Sequence, residues 1–251
     1  MGRRALPPMT QSPASTTPDT LTGQIAANLA GLRQRIARAA QQAGRAPDSV
    51  TLVAVSKTFS GAHVAAAHAA GVRHFGENWV QEAAEKLPSL GKLSPQPVWH
   101  LVGHLQTNKV KQALALFDLV ESVDSTHLGE AIARRAGDRV VPVLIEVNVA
   151  GEASKNGFRL DEVPAACATL RALPQLEVRG LMTVAPETGD PEQVRPVFRQ
   201  LRGLRDQLGL AELSMGMTGD FEVAIQEGAT MVRLGRAVFG PRPSAGSAPS
   251  G

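Results

Sequence analysis

The sequence alternates between short apolar segments and amphipathic segments, and this alternation constrains the fold more than any other feature. A helical pattern follows each of the first seven apolar segments, and another precedes the first, with Ile25, Leu29, Leu32 and Ile36 at helical spacing. Short apolar segments rich in valine and leucine are typical of strands buried on both faces of a parallel sheet. The eight predicted strands lie at residues 50–55, 72–75, 98–102, 119–123, 140–149, 178–184, 212–217 and 231–234.

The number of strand-helix units indicates how the sheet closes. The chain has 251 residues, and one (β/α)8 barrel typically takes roughly 250. No glycine-rich dinucleotide fingerprint follows the first strand, which favours a closed barrel over an open doubly wound sheet, the alternative. We therefore predict an α/β fold, a single TIM-type (β/α)8 barrel with an extra N-terminal helix, over residues 20–240. The Pro- and Ser-rich segments 1–19 and 241–251 are predicted to be a disordered leader and tail.

Composition excludes several classes of partner. The net charge of +3 comes from Lys and Arg residues that are spread along the chain, so nucleic acid binding is not indicated. The one cysteine, Cys167, cannot form an intrachain disulfide, which fits a reducing compartment. No segment is apolar and long enough to span a membrane. These features predict a cytoplasmic protein.

Lys57 is the first candidate for chemistry, because it directly follows the first predicted strand. Active sites of these barrels lie at the C-terminal ends of the strands. Partial desolvation at the barrel mouth would favour the unprotonated amine, which is the form that reacts with an aldehyde to give a Schiff base. A surface lysine in a loop is the alternative, and for a lone lysine it is the commoner one.

A second candidate feature follows strands seven and eight, where these barrels commonly bind phosphate. The hydroxyls of Ser214 and Thr218 and the main-chain N–H groups near them could hold a phosphate. Gly235 would let the main chain approach an anion closely, beside Arg233 and Arg236. Alternatively, Thr218 only caps a helix and Gly235 only turns the chain.

Metal binding is not predicted. His100 and His104 are four residues apart, but they fall in a strand pattern interrupted by Gly103, so they are not expected to bind one ion. A Cys/His zinc pattern is absent from the sequence.

Six motifs resemble those of the pyridoxal phosphate homeostasis protein family, in family order over residues 22–240. They are AVSKT at 54–58, FGENWVQE at 75–82, HLVGHLQTNK at 100–109, GLMTVAP at 180–186, SMGMT at 214–218 and VRLGRAVFG at 232–240. The family shares the barrel of the alanine-racemase-like enzymes without their second domain. The chain has Trp79 where the family often has Tyr, and Thr218 where it often has Ser.

The resemblance implies pyridoxal 5′-phosphate (PLP) as a cofactor bound covalently to Lys57. It implies that Ser214, Thr218 and the main chain at Gly235 and Arg236 hold the phosphate. Arg233 would face the pyridine nitrogen, and Asn78 would line the mouth near the ring. Asn148, Glu152 and Lys155 match another family motif at the end of the fifth predicted strand, to which we assign no role.

Two main functions are consistent with such a site: a carrier that buffers PLP and delivers it to apo PLP enzymes, and an amino-acid racemase. In alanine-racemase-like enzymes the second base is a tyrosine from the extra domain of a partner subunit, whereas this chain has no tyrosine. An arginine at the ring nitrogen also disfavours its protonation and weakens the electron sink. We therefore predict a carrier, and a monomer because the partner-subunit domain is missing. A Schiff-base aldolase would explain Lys57 but not the other motifs.

Overall fold

Eight parallel strands close into a barrel in the computed structural model, which describes residues 20–152 and 155–241. Each strand pairs with the next along the chain, and the last pairs with the first. This closure confirms the predicted TIM-type (β/α)8 barrel and rules out the open sheet. The strands are β1 (Thr51–Val55), β2 (His74–Glu77), β3 (Val98–Leu101), β4 (Leu119–Val123), β5 (Val141–Glu146), β6 (Leu176–Met182), β7 (Glu212–Ser214) and β8 (Met231–Leu234).

Helices cover the outside of the barrel between consecutive strands. Within the described residues they are α1 (Leu21–Gln42), α2 (Gly61–Ala69), α3 (Val80–Ser89), α4 (Val110–Leu116), α5 (Thr126–Ala136), α6 (Val163–Arg171), α7 (Arg195–Gln207), α8 (Phe221–Gln226) and α9 (Arg236–Phe239). Short 3-10 turns at Pro47–Ser49, Thr107–Lys109 and Pro191–Val194 lead into β1, α4 and α7. No helix in the described part of the chain combines the length and the apolarity that crossing a membrane requires.

The extra N-terminal helix is present as predicted. Thr20 caps it by accepting a hydrogen bond from the main-chain N–H of Gly23, which satisfies one of the unpaired donors of the first turn. Its buried residues are those of the predicted face, with Ala39 and Ala40 in addition. Through this face α1 packs on α2, α8 and α9 and covers the outside of the barrel where β8 meets β1.

β5 and β7 differ most from the predicted strands, because each ends three residues early, while β2 and β6 are displaced by two residues and β3 ends one residue early. β5 stops at Glu146. Val147 still donates to the carbonyl oxygen of Met182 in β6, but it also forms a bridge with Phe158 of the returning loop, and the N–H of Asn148 donates to the Phe158 carbonyl oxygen. β7 stops at Ser214, because Gly216 takes a positive φ of 96° and turns the chain toward α8. Both early ends lie at the C-terminal side of the barrel, where they leave loops to build a site. The predicted disordered segments, Pro241 apart, lie outside the described residues.

The barrel interior divides into an apolar part and a polar part. The apolar part is a cluster of buried side chains from β1, β4, β5, β6 and β8: Val53, Leu119, Leu144, Met182 and Met231. Polar side chains of the interior, among them His100, Glu121, Ser214 and Arg233, are also buried. Buried polar groups of this kind are costly unless they bond to one another, so their arrangement is a defined structural feature.

Candidate functional site

A cavity of about 680 Å³ opens at the C-terminal ends of the strands. Its wall includes the ends of β1, β2, β3 and β8 together with the loops after β6 and β7. Six of the seven residues predicted from the sequence line it, and the seventh, Ser214, does not. The six are Lys57, Asn78, Thr218, Arg233, Gly235 and Arg236.

The main chain around Lys57 has an unusual conformation. Thr58, the next residue, has φ of 69°, a left-handed value that costs a β-branched residue conformational energy. The Lys57 ammonium lies 5.9 Å from the ring centroid of Trp79, within the range of a cation–π contact. The indole is half-exposed at the rim of the mouth.

A buried ion cluster outside the barrel holds the main chain on both sides of Lys57. The Lys86 ammonium donates hydrogen bonds to Glu77 Oε1 at 2.8 Å, to Glu82 Oε1 at 2.8 Å and to the carbonyl oxygen of Ser56 at 2.7 Å. The hydroxyl of Ser56 donates to Glu77 Oε1, and the N–H of Thr58 donates to Glu82 Oε1 at 2.7 Å. Burial raises the pKa of Glu77 even though Lys86 and Ser56 bond to it. The residues on both sides of position 57 are therefore fixed by the same cluster.

The loop between β7 and α8 is anchored at both ends where it lines the cavity. At Gly216, a Cβ would lie only 2.6 Å from that of Ala224, so this position accepts no side chain without rearrangement. Asp220 Oδ1 accepts a hydrogen bond from the N–H of Met217 at 2.6 Å and ties the loop across its base. Thr218 and Gly219 lie between these two anchors, on the cavity wall.

The end of β8 forms another part of the cavity wall, beside the loop between β7 and α8. A Cβ at Gly235 would lie 3.2 Å from the carbonyl oxygen of Val55, which shows how closely the end of β8 approaches the end of β1. Arg236, at the start of α9, is exposed at the rim. Gly235 thus lets the end of β8 pack on the end of β1, while its predicted approach to an anion stays a prediction.

Asn78 is held by the loop that follows β3. A Cβ at Gly103 would lie 2.3 Å from the carbonyl oxygen of Asn78, so the two main chains touch here. The contact fixes the main chain of Asn78, directly after β2, with its side chain in the wall of the cavity.

Arg233 forms the floor of the cavity. Its guanidinium donates from Nη1 to Ser214 Oγ at 2.6 Å and from Nη2 to the carbonyl oxygen of Thr183 at 2.7 Å. Burial lowers its pKa, against the opposing charges of Glu121 and Glu146. Two of its donors are therefore engaged below the cavity, while the residue remains part of the cavity surface.

Ser214, predicted from the sequence as a phosphate ligand, does not line the cavity. Its side chain is fully buried, and its hydroxyl donates to Glu121 Oε2 and accepts from Arg233. Both functions of the hydroxyl are used in the barrel interior, one layer below the cavity. Thr218 is left as the hydroxyl-bearing residue of the SMGMT motif that reaches the wall.

Two buried or partly buried carboxylates of the barrel, Glu146 and Glu121, were missed from the sequence. Glu146, at the end of β5, has its pKa raised to about 7 by burial and by the charge of Asp124. Glu121 lies in the middle of β4 and is fully buried. A carboxylate inside an otherwise apolar strand is the signal that could have identified Glu121, because such a group requires a buried partner.

The histidines of the HLVGHLQTNK motif point to different partners. His100 bonds to Glu121 in the interior, at 2.6 Å, while His104 bonds to Asp124 at the surface, at 2.7 Å. Among the described residues, no group of three or more His, Cys, Asp or Glu side chains is arranged to hold a metal ion.

The motif after β5 forms a turn beside the cavity. Asn148 and Glu152 exchange hydrogen bonds, from the side-chain amide to the carbonyl at 2.8 Å and from the main-chain N–H to Oδ1 at 3.1 Å. Lys155 pairs with the Glu152 carboxylate and also approaches the carbonyl oxygen of Val184, a cavity residue, at 3.4 Å. The turn therefore contacts the wall of the cavity through Lys155.

The sequence matches known proteins over most of its length. Residues 27–243 match the family described as alanine racemase, N-terminal domain. The pyridoxal phosphate homeostasis protein of Pseudomonas aeruginosa is 45% identical over 222 residues, which is 87% of this chain and 96% of that protein. The protein of the same name from Aquifex aeolicus is 42% identical, over 85% of this chain and 96% of that one.

Solved structures agree with the barrel. PipY of Synechococcus elongatus, solved with PLP bound, aligns with a TM-score of 0.76 and 39% identity, over 86% of this chain and all of that chain. Alanine racemase from Corynebacterium glutamicum aligns with a TM-score of 0.62, over 88% of this chain and 63% of that one. Its identity is 21%, so that likeness concerns the fold alone.

Proposed function

Because this chain belongs to the pyridoxal phosphate homeostasis protein family, we propose that it binds PLP in the cavity at the barrel mouth and takes part in intracellular PLP homeostasis. The observation that carries the proposal is that a strand-end lysine and a glycine-lined corner face one cavity. A chain that binds an aldehyde through a lysine and a phosphate through close main-chain contact needs both features. The predicted cytoplasmic location belongs to the same proposal.

Lys57 is proposed to hold PLP as a Schiff base. The amine of Lys57 displaces the aldehyde oxygen of the cofactor as one molecule of water, and hydrolysis reverses the bond. The fixed positions of Ser56 and Thr58 support this role, because the amine then starts from a defined main chain. A reversible bond at a half-buried lysine is suited to storing the cofactor and releasing it.

The phosphate is proposed to lie in the corner formed by the loops after β7 and β8. Thr218 contributes its hydroxyl, and the main chain at Gly235 and Arg236 contributes N–H groups. Gly216 and Gly235 keep both loops packed closely on their neighbours, since a Cβ would lie 2.6 Å from Ala224 Cβ at the first and 3.2 Å from the Val55 carbonyl oxygen at the second. The exposed guanidinium of Arg236 adds positive charge at the rim.

Arg233 is proposed to face the pyridine nitrogen, with Asn78 near the ring. Bound PLP can act as an electron sink, which is strongest when the ring nitrogen is protonated. A guanidinium at that nitrogen disfavours the protonation, because like charges repel. The site is therefore better suited to holding PLP than to stabilising a carbanion.

The protein is proposed to be a carrier for apo PLP enzymes. The curated relatives described above are named as homeostasis proteins, and the racemases share only the fold. Among the described cavity residues the titratable side chains besides Lys57 are Glu187, Asp220, Arg233 and Arg236. Glu187 is exposed at the rim, and Asp220 bonds to the main chain of Met217. Neither is arranged as a second base opposite Lys57.

The cofactor proposal is tested by absorbance and reduction of the purified protein. We expect PLP-loaded protein to be yellow and to lose that absorbance with borohydride, which fixes the cofactor to one peptide. Lys57→Ala should abolish the reducible adduct and preserve the fold by circular dichroism, whereas Lys109→Ala should retain the adduct. A label that maps to another lysine by mass spectrometry would contradict the assignment.

The carrier role is tested separately. PLP-loaded protein is mixed with an apo PLP enzyme and the recovered enzyme activity is followed, and it is mixed with amino acids while chirality and α-proton exchange are followed. We expect recovered activity and negligible racemisation, since general acid–base help is typically worth about 10²–10⁴-fold and no described cavity residue is arranged as a second base. Multiple-turnover racemisation would overturn the carrier proposal.

A further inference from the structure

A chain of hydrogen bonds crosses the barrel interior and ends at Arg233. His74 Nδ1 lies 3.0 Å from His100 Nε2, and His100 Nδ1 lies 2.6 Å from Glu121 Oε1. The other carboxylate oxygen of Glu121 accepts from Ser214 Oγ at 2.5 Å, and Ser214 Oγ accepts from Arg233 at 2.6 Å. These residues belong to β2, β3, β4, β7 and β8. Since β4 and β7 are not neighbours in the sheet, the contact between Glu121 and Ser214 spans the barrel.

Glu121 carries the negative charge of this chain of hydrogen bonds. Its side chain is fully buried, and Oε2 lies 3.9 Å from Arg233 Nη1. Burial alone would raise its pKa, but the hydrogen bond from His100 and the charges of His100 and Arg233 outweigh it and leave the pKa below its usual range. Glu121 is therefore ionised, and it is the buried counter-charge nearest to the floor of the cavity.

Other charged groups face this part of the interior. Glu212, at the start of β7, is half-buried, and burial raises its pKa. His74 is also half-buried, and burial and the charge of His100 lower its pKa. Glu146 and Asp220 act on Arg233 from β5 and from the loop after β7. Within the described residues, only Glu121 among these carboxylates reaches Arg233 through a shared hydroxyl.

We propose that Glu121 is a positioning residue that orients Arg233 and balances its charge beneath the cofactor. The inference rests on the proposed function, because Arg233 acts on PLP only if PLP occupies this cavity. The carboxylate holds Ser214 so that its oxygen accepts from Nη1, while Thr183 accepts from Nη2, and the guanidinium is fixed from below. The same carboxylate makes the potential in the cavity less positive than Arg233 alone would make it.

This role predicts a spectroscopic effect of Glu121→Gln. The amide is close in size to the carboxylate and can still bond to Ser214 and His100, but it carries no charge. Loss of a nearby negative charge makes protonation of the Lys57 Schiff base harder, so the pH midpoint of its absorbance change moves down. At an effective dielectric constant of about 20, a unit charge roughly 12 Å away shifts a midpoint by about one pH unit.

The matched control is Glu212→Gln, which also removes a negative charge from the barrel interior. Glu212 has no bond to Ser214 or Arg233 among the described residues, so its replacement should move the midpoint much less. Absorbance spectra of the PLP-loaded proteins are recorded across pH. A Glu121→Gln midpoint equal to that of the wild type or of Glu212→Gln would overturn the inference and leave the proposed function intact. A wild-type protein without a reducible adduct would overturn both.

Ser214→Ala separates the orientation of Arg233 from the charge of Glu121. It also provides a test if Glu121→Gln does not fold. This variant keeps the carboxylate and removes the hydroxyl that links it to Arg233. We expect at least threefold weaker binding of both PLP and pyridoxal, which share the ring, with a smaller change of midpoint than in Glu121→Gln. Unchanged affinity for both ligands would show that Arg233 does not need to be held by this chain of hydrogen bonds.

Discussion

The ammonium group of Lys86 lies 2.7 Å from the carbonyl oxygen of Ser56, the residue directly before Lys57. Lys86 is on α3, outside the barrel, and its side chain is 7% exposed. It also pairs with Glu77, which is fully buried at the end of β2. One lysine is therefore part of the structure that positions the other, the one proposed to react with PLP.

Lys86→Met should destabilise the fold strongly. The substitution keeps an unbranched side chain of similar length but leaves Glu77 buried without its cation. Removing one partner of a buried ion pair typically costs about 3–5 kcal/mol. We expect a loss of that size in the free energy of unfolding by urea at pH 8, while Lys111→Met, at an exposed position of α4, should change it little.

A double variant checks the cause of that loss. Glu77→Gln together with Lys86→Met removes both charges, so it should recover most of the stability lost in Lys86→Met alone. If the double variant were as unstable as the single one, packing of the lysine and not its charge would explain the effect.

Thr218→Ala should weaken the binding of PLP more than that of pyridoxal, which lacks the phosphate. A hydrogen bond to a charged group is worth about 1.5–3 kcal/mol, so the loss of one should cost roughly tenfold or more in affinity. Thr188→Ala is the control, because Thr188 also lines the cavity but on the loop after β6. Equal losses for both ligands in a binding titration would place the phosphate elsewhere.

Glu146→Gln should stabilise the cofactor-free protein at alkaline pH. The pKa of Glu146 is raised from 4.5 to about 7, so the folded state keeps a proton that the unfolded state releases. The free energy of unfolding therefore falls as the pH rises from about 4.5 to 7, and the full penalty of about 3 kcal/mol remains above that range. Urea unfolding should show a gain of up to this size at pH 8 and little at pH 4.5.

Glu85→Gln is the matched control for this pH dependence, because Glu85 is exposed on α3. Its free energy of unfolding should differ little from that of the wild type at either pH. A Glu146→Gln gain that is the same at pH 4.5 and pH 8 would mean that the ionisation of Glu146 is not its cause.

Trp79 should report the arrival of PLP by fluorescence. The chain has two tryptophans, and the ring of Trp79 lies 5.9 Å from the Lys57 ammonium, while Trp99 is buried against Phe75. A Schiff base on Lys57 absorbs where tryptophan emits, so titration with PLP should quench the emission. Trp79→Phe should remove most of this quenching and Trp99→Phe should retain most of it. The reverse pattern would place the cofactor away from Trp79.

The sequence by itself determined the fold and the edge of the sheet that carries the site. Strand and helix patterns depend on neighbouring residues, so all eight strands could be predicted. The largest errors are at the C-terminal ends of β5 and β7, where loops and a glycine turn decide the boundary, and β2 and β6 are displaced by two residues. Since the C-terminal ends of parallel strands meet at one edge, Lys57, Thr218 and Gly235 could be predicted to share a cavity, and they do.

Only the tertiary structure decided which side chains act below that edge. Ser214 and Thr218 belong to one motif, but the closed barrel buries the first and exposes the second to the cavity. Glu121 and Ser214 are 93 residues apart in the chain, and they meet because β4 and β7 face each other across the interior. No local pattern encodes such a contact. It follows from closure of the sheet, which forces buried polar groups to bond to one another.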